Sequence, residues 1–207
     1  LVWKYIFLNS DFCCGVILLR IWTWLKVLVI GLSLLAAGIY GLFTSDVFQK
    51  KYVYPFLYQE AVYTYALQHN LNPFLIAGVI RAESKFIASA QSPKGALGLM
   101  QIMPETGQWI ADQREHQDFM IADLTDPDIN IRFGTWYLAT LKKEFNDNEV
   151  LYLAAYNGGR GNVNKWMQKY GWSKDFNDVD QIPFKETRNY VERVLSNKKK
   201  YQELYGR

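Results

Sequence analysis

The stretch RAESKFIASAQSPKGALGLMQIMPETG, residues 81–107, joins the end of one apolar helix to the start of another across a glycine-rich excursion. Asn72-Pro73 upstream is a cap-plus-proline helix start, and Leu75, Ile76, Val79 and Ile80 recur at core spacing, which predicts a helix over 73–84. Glu83 falls four residues after Val79 and eight after Leu75, so its carboxylate shares the apolar stripe rather than the solvent face. The segment 88–98, with Pro93, Gly95 and Gly98, cannot continue a helix and reads as a loop or short hairpin, after which Pro104 opens a helix to about Ala111.

Further along, Asp126-Pro127 repeats the cap signal and a helix runs to about Phe145; Asn146-Asp147-Asn148 is a turn. A helix over 149–156 stops at Asn157-Gly158-Gly159, another covers about 161–169, and a last one runs from Lys185 toward Tyr205. Before the quoted stretch, a helix over 55–69 would place Leu57, Ala61, Tyr65 and Gln68 on one side. The pattern is mainly α, with no internal repeat.

Residues 27–43, VLVIGLSLLAAGIYGLF, carry no charge, and an apolar run of about 17 residues is the lower limit for a transmembrane helix. Lys26 can snorkel at its start, and Trp22 and Trp24 stand where interfacial aromatics belong. The rival reading is a cleaved signal peptide with Ala36-Ala37-Gly38 as a weak site. The chain has 207 residues and a net charge of +3. Lys4, Arg20 and Lys26 oppose only Asp11 in the N-terminal part, so the rest is close to neutral, which argues against a nucleic-acid partner. Lys198-Lys199-Lys200 reads as a solvated helix end. Both cysteines, Cys13 and Cys14, precede the apolar run, so the domain has no disulfide framework, and having only His69 and His116 argues against a zinc site.

A carboxylate on the buried side of a helix is costly to ionise, so the Glu83 pKa should rise, the state a glycosidic general acid needs. A structural ion pair is the alternative, but Arg81 and Lys85 lie two positions away and do not face Glu83. The surrounding motifs bear on this choice: Glu83-Ser84, Ser92, Gly95-Ala96-Leu97-Gly98-Leu99-Met100-Gln101, Met103-Pro104-Glu105-Thr106, then Asp126-Pro127 with Asn130-Ile131 and Gly134, then Ala154-Ala155-Tyr156-Asn157-Gly158-Gly159, then Glu186-Thr187 with Tyr190-Val191. In this order they strongly resemble the SLT-type lytic transglycosylase domain of the goose-lysozyme-like superfamily, over about residues 56–200.

The resemblance implies a lysozyme-like, mainly α (α+β) domain over 56–207, joined by a linker over 44–55 to a membrane anchor or uncleaved signal at 27–43, with a basic cytoplasmic flank at 1–26. It implies Glu83 as catalytic acid and then base. Ser92 and Gln101 would hydrogen-bond the sugar that carries N-acetyl and lactyl groups, and Met103 would pack against the glycan. Tyr156 would direct its hydroxyl at the reacting centre, Asn157 would border the cleft, and Glu186 would be a second polar contact. Each residue also has a plainer reading: Met103 as core filler, Tyr156 as a packed aromatic, Glu186 as a helix N-terminal charge. The implied reaction cuts the bond between N-acetylmuramic acid and N-acetylglucosamine in peptidoglycan and leaves 1,6-anhydro ends, with no metal or cofactor, by a single-pass membrane monomer whose catalytic domain faces the wall. A goose-type hydrolase on the same scaffold would need a second carboxylate roughly 6.5–9.5 Å away. No Asp or Glu lies between Gly95 and Met103, which leaves Asp112, Asp123 and Asp126. A non-catalytic wall-binding tether is the alternative of another class.

Overall fold

The computed structural model describes residues 2–114 and 118–206, with side chains from Arg20 onward. His116 and the side chains of Cys13 and Cys14 therefore lie outside the described residues. The chain divides into two compact units, Leu1–Val53 and Tyr54–Arg207.

The first unit is one long helix, α1 (Val2–Thr44), followed by a single turn, α2 (Asp46–Phe48), and a π-helical turn over Gln49–Val53. The helix extends well beyond the apolar run at 27–43 expected as the span. It runs straight through Lys26, and the segment long and apolar enough to cross a membrane is Arg20–Thr44. Its 25 residues rise about 37 Å, against roughly 30 Å of hydrocarbon in a bilayer. The Lys26 ammonium lies 4.0 Å from the centre of the Trp22 ring, so this cation is already paired with an aromatic face. The expected linker is likewise partly helical: the Ser45 hydroxyl accepts from the Phe48 N–H, and Phe43, Phe48 and Tyr52 pack ring to ring at 4.7 and 5.0 Å.

The second unit is a bundle of seven helices among the described residues: α3 (Gln59–Gln68), α4 (Pro73–Glu83), α5 (Pro104–Gln113), α6 (Pro127–Glu144), α7 (Glu149–Gly158), α8 (Arg160–Tyr170) and α9 (Lys185–Tyr205). Single 3-10 turns cover Ile121–Thr125 and Val179–Gln181. The caps act as the sequence indicates: the Asn72 side chain accepts from the Phe74 N–H, and Asp126 accepts from the N–H groups of Asp128 and Ile129. The expected helix over 55–69 starts late. Tyr58 adopts a left-handed conformation (φ 53°) before α3, and the buried stripe is Val62 and Ala66, with Leu57 and Gln68 left exposed. Among the described residues no strand forms; two isolated antiparallel bridges, Gln91 with Leu97 and Leu97 with Ile102, pin the 88–102 loop.

Two features place the site. First, α4 packs closely along α9. A Cβ on Gly78 would stand 3.0 Å from both the Lys198 nitrogen and the Val194 oxygen, so the two backbones touch where only glycine fits. The Asn197 amide donates to the Gly78 carbonyl at 3.3 Å across the same crossing. Second, the glycine loop is clamped by Asn130, which is fully buried on α6. Its oxygen accepts from the Met100 N–H at 2.7 Å, and its NH2 donates to the carbonyls of Leu97 (3.0 Å) and Leu124 (2.7 Å). Gly98 (φ +77°) faces this clamp, and a Cβ there would run into the Asn130 amide and the Leu124 oxygen.

Gly78→Val should therefore lower stability by about 1–3 kcal/mol through overpacking, whereas Gly161→Ala, in open space on α8, should be neutral or stabilising by up to about 1 kcal/mol. Asn130→Ala strands one buried donor, the Met100 N–H, and one acceptor, the Leu124 carbonyl, and should cost about 2–3 kcal/mol. Denaturant titration of the full chain in detergent measures all three.

Candidate active site

Glu83 is the last residue of α4, and Ser84 follows as its cap. The chain then turns through Lys85 and Phe86, both left-handed (φ 53° and 66°), into the loop. Ser84 ties the two together: its hydroxyl donates to the Leu99 carbonyl at 2.8 Å. This arrangement leaves the Glu83 carboxyl partly buried at the floor of a groove of about 300 Å³. The same groove is lined by Ser92, Gln101, Met103, Tyr156, Asn157 and Glu186, so the structure brings all seven residues singled out in the sequence to one place.

The electrostatics of Glu83 follow from its surroundings. Burial pushes its carboxyl up to about 7 from the ordinary 4.5. A hydrogen-bonding contribution from Tyr190 and the Arg193 charge pull it back, and the like charge of Glu186 pushes it further up. Among the described residues Glu83 makes no ion pair within 4 Å. Arg81, its helical neighbour, lies instead over the Tyr54 ring at 5.2 Å. The Tyr190 hydroxyl is buried and closes no hydrogen bond of good geometry, although it is near enough to Glu83 to affect its titration.

The other residues are less free than the sequence suggests. The Tyr156 hydroxyl donates to the Met100 carbonyl at 2.8 Å, so its proton points at the loop and only its oxygen lone pairs face elsewhere. Burial first, then the nearby Glu83 charge, hold the Tyr156 pKa well above the usual tyrosine value, which keeps the hydroxyl neutral. Gln101 sits in the left-handed region (φ 50°), and its NH2 donates to the Gly98 and Ala90 carbonyls at 2.9 and 3.1 Å. Its amide oxygen remains for a ligand. The Ser92 hydroxyl accepts from the Ala96 N–H at 2.9 Å and keeps its own proton to donate. Met103 precedes α5 and Asn157 lies in the last turn of α7, both half-buried. Glu186, in the first turn of α9, pairs with Lys94 at 3.7 Å; both side chains are largely exposed (74% and 80%), so the pair contributes little to stability.

Three carboxylates considered from the sequence as a second catalytic group are occupied elsewhere. Asp126 caps α6, Asp123 accepts from the Met120 N–H, and Asp112 accepts from the Gln108 amide. None of them lines the Glu83 groove; Glu186 does. A larger hollow of about 550 Å³ lies along α3 and the start of α6. Its Tyr65 and Asp128 are hydrogen-bonded to each other at 2.8 Å, and none of the seven residues singled out in the sequence lines it. No three His, Cys, Asp or Glu side chains converge to hold a metal among the described residues.

Sequence reasoning missed two contributors. Tyr190 entered only as part of a motif, yet it stands beside Glu83; its position one helical turn after Glu186 on α9 was the available signal. Lys94 was passed over because a loop lysine is ordinarily solvated, whereas here it bridges to Glu186 at the groove.

Residues 60–179 match the Transglycosylase SLT domain family, and residues 181–207 match the Soluble lytic transglycosylase helical domain. The Soluble lytic murein transglycosylase of Salmonella typhimurium is 33% identical over 155 residues, covering 74% of this chain and 24% of that protein. The Membrane-bound lytic murein transglycosylase C of Haemophilus ducreyi is 30% identical over 171 residues, covering 70% of this chain and 45% of that one. The 70 kDa soluble lytic transglycosylase of Escherichia coli superposes with a TM-score of 0.69 at 32% identity, covering 74% of this chain and 25% of that one. An inactive Glu-to-Gln mutant of the lytic transglycosylase Slt from Pseudomonas aeruginosa gives 0.65 at 32% identity, covering 82% and 29%. The chain thus spans about a quarter of the length of the soluble relatives it matches. With the family matched over more than half its residues, and structures of that family sharing its helical arrangement, the chain belongs to the SLT transglycosylase family.

Proposed function

We propose that this chain is a peptidoglycan lytic transglycosylase with Glu83 as its single acid/base. The observation that carries the reading is a carboxyl with a pKa of about 7, without an ion-pair partner among the described residues, on the floor of a groove. Such a group holds its proton near neutral pH and gives it up easily, as a general acid must. The names of the relatives support it, as does the inactivity of the Pseudomonas aeruginosa Slt mutant in which a glutamate is replaced by glutamine.

In the proposed reaction Glu83 protonates the oxygen bridging N-acetylmuramic acid and N-acetylglucosamine. The carbonyl oxygen of the muramyl N-acetyl group attacks its own anomeric carbon as that bond breaks, giving an oxazolinium and a neutral leaving alcohol. Glu83, now ionised, takes the proton of the muramyl C6 hydroxyl. That oxygen closes on the anomeric carbon, the oxazolinium reopens to N-acetyl, and Glu83 is again protonated. One carboxyl serves both steps, so the two-carboxylate rule does not apply. The Ser92 hydroxyl and the Gln101 amide oxygen are the groups left to hold the muramyl sugar. Tyr156 acts through its oxygen and through the loop it braces. The lone-pair side of Tyr156 and the Tyr190 hydroxyl flank the carboxyl whose charge appears midway.

Arg20–Thr44 would anchor the chain in the membrane as a single span, with the catalytic unit on the wall side and the protein working as a monomer. A goose-type hydrolase remains the second reading because Glu186 places another carboxylate in the groove, although it is exposed and paired with Lys94. Product mass separates the two: an anhydro end is lighter than a hydrolysed end by one water.

Wild-type chain should release anhydro-ended fragments from purified sacculi, measured by mass spectrometry, and Glu83→Gln should lose at least about a hundredfold in rate while still folding. A full-rate Glu83→Gln would sink the mechanism, and an inert wild type would favour a wall-binding tether. Tyr156→Phe should cost less than Glu83→Gln but more than nothing. Because the acid form is required, kcat/KM should fall as pH rises through about 7. The folded state holds the Glu83 proton more tightly than the unfolded chain. Stability from this group is therefore full below about 4.5 and is lost as pH rises through about 7. Glu83→Gln should consequently be more stable than wild type by about 1–3 kcal/mol at pH 8 and about equal at pH 4, as read by parallel melts.

A further inference from the structure

One group in the Glu83 groove is left unused by the proposed reaction. Among the described residues that line the groove, Lys94 is the only cation, and its ammonium pairs with Glu186 at 3.7 Å rather than with Glu83.

Lys94 stands in a turn whose backbone is fixed. The Gly95 N–H donates to the Ser92 carbonyl at 2.9 Å, the Ser92 N–H donates to the Ala96 carbonyl at 2.9 Å, and the Ser92 hydroxyl accepts from the Ala96 N–H at 2.9 Å. Gly95 closes the turn at φ +91°, a conformation that glycine adopts without strain. The lysine is therefore rooted two residues from Ser92, one of the groups left to hold the muramyl sugar. Its side chain is 80% exposed, and its flexible stem lets the ammonium swing within the mouth of the groove.

The Lys94–Glu186 pair is easily exchanged. It is long and mostly in water, so little free energy holds it together. Glu186 also keeps a favourable field when the lysine leaves, because it lies in the first turn of α9, where the positive end of the helix dipole stabilises a carboxylate. An anionic acceptor that enters the groove therefore gains the ammonium at small cost to the fold. The muramyl residue brings such an acceptor. Its lactyl group ends in a carboxylate when no peptide is attached. When a peptide is attached that group becomes an amide, and the stem supplies carboxylates of its own. N-acetylglucosamine carries no charge.

We infer that Lys94 is a specificity-determining residue, which leaves Glu186 to pair with a carboxylate borne by the muramyl residue, on its lactyl group or on an attached stem. The inference rests on the proposal that the groove binds peptidoglycan glycan. It gives the groove a way to tell the two alternating sugars apart by charge, and so to set which of them lies beside Ser92.

Calorimetric titration of the full chain in detergent, carrying Glu83→Gln so that nothing is cut, compares three tetrasaccharides of alternating N-acetylglucosamine and N-acetylmuramic acid. One has free lactyl carboxylates, one has them converted to primary amides, and one bears stem peptides. At low salt a carboxylate-bearing ligand should bind about fivefold more tightly than the amide, and the gap should close at roughly 1 M salt, where the Debye length is about 3 Å. A gain confined to the free-lactyl ligand assigns the carboxylate to the lactyl group, and a gain confined to the stem-bearing ligand assigns it to the stem. Adding Lys94→Gln should erase the gap, Lys94→Arg should keep most of it, and Glu186→Gln, which releases the lysine, should widen it. The absence of a gap, a gap that survives Lys94→Gln, or equal weakening of all three ligands by that variant would overturn the assignment. Failure of all three to bind overturns it too, and takes the glycan reading with it where wild type also yields no anhydro product.

Discussion

The arrangement depends on keeping one carboxyl group out of water without giving it a cation. Removing Glu83 from solvent raises its pKa from 4.5 to about 7, and Tyr190 and Arg193 oppose this without cancelling it. A close ion pair would reverse the shift and leave an ionised, inert carboxylate. The unit instead surrounds Glu83 with neutral hydroxyls, Tyr156 and Tyr190, each kept protonated by its own burial. The cost is borne by the fold, which is least stable from this source at the pH where the group is charged.

Two contacts elsewhere keep that environment in place. The α4–α9 crossing at Gly78 sets how near α9 comes, and α9 carries Glu186, Tyr190 and Arg193 along the side that serves Glu83. The Asn130 clamp sets the other wall, because Met100, whose N–H it binds, is also the residue whose carbonyl receives the Tyr156 proton. Loop, tyrosine and α6 are thus linked through one residue. Ser84 adds a third tie by joining the end of α4 to Leu99. The site is therefore built from helix ends and a loop, and its precision comes from hydrogen bonds to backbone carbonyls rather than from side-chain pairs.

The first unit follows simpler rules. Its helix is apolar around its whole circumference over Arg20–Thr44 and buries none of that surface within itself. Such a surface requires an apolar surround, and the aromatic and lysine residues at its two ends suit the boundary between hydrocarbon and water. Helix formation there needs no tertiary contact, so it runs through Lys26 without interruption.

The sequence by itself determined the helices that carry a cap or a stop: Asn72-Pro73, Asp126-Pro127 and Gly158-Gly159 define their own boundaries because capping hydrogen bonds and proline geometry are local. It also settled which face of α4 bears Glu83, since periodicity is a local property. The tertiary structure decided the rest. No spacing along the chain tells that Tyr156 spends its proton on Met100 or that Lys94 reaches Glu186, because these partners lie far apart in sequence and meet only through packing. The late start of α3 belongs to the same class: Phe56 is drawn into the core against Tyr201 and Tyr205, and the chain can turn into the helix only after a left-handed residue at Tyr58.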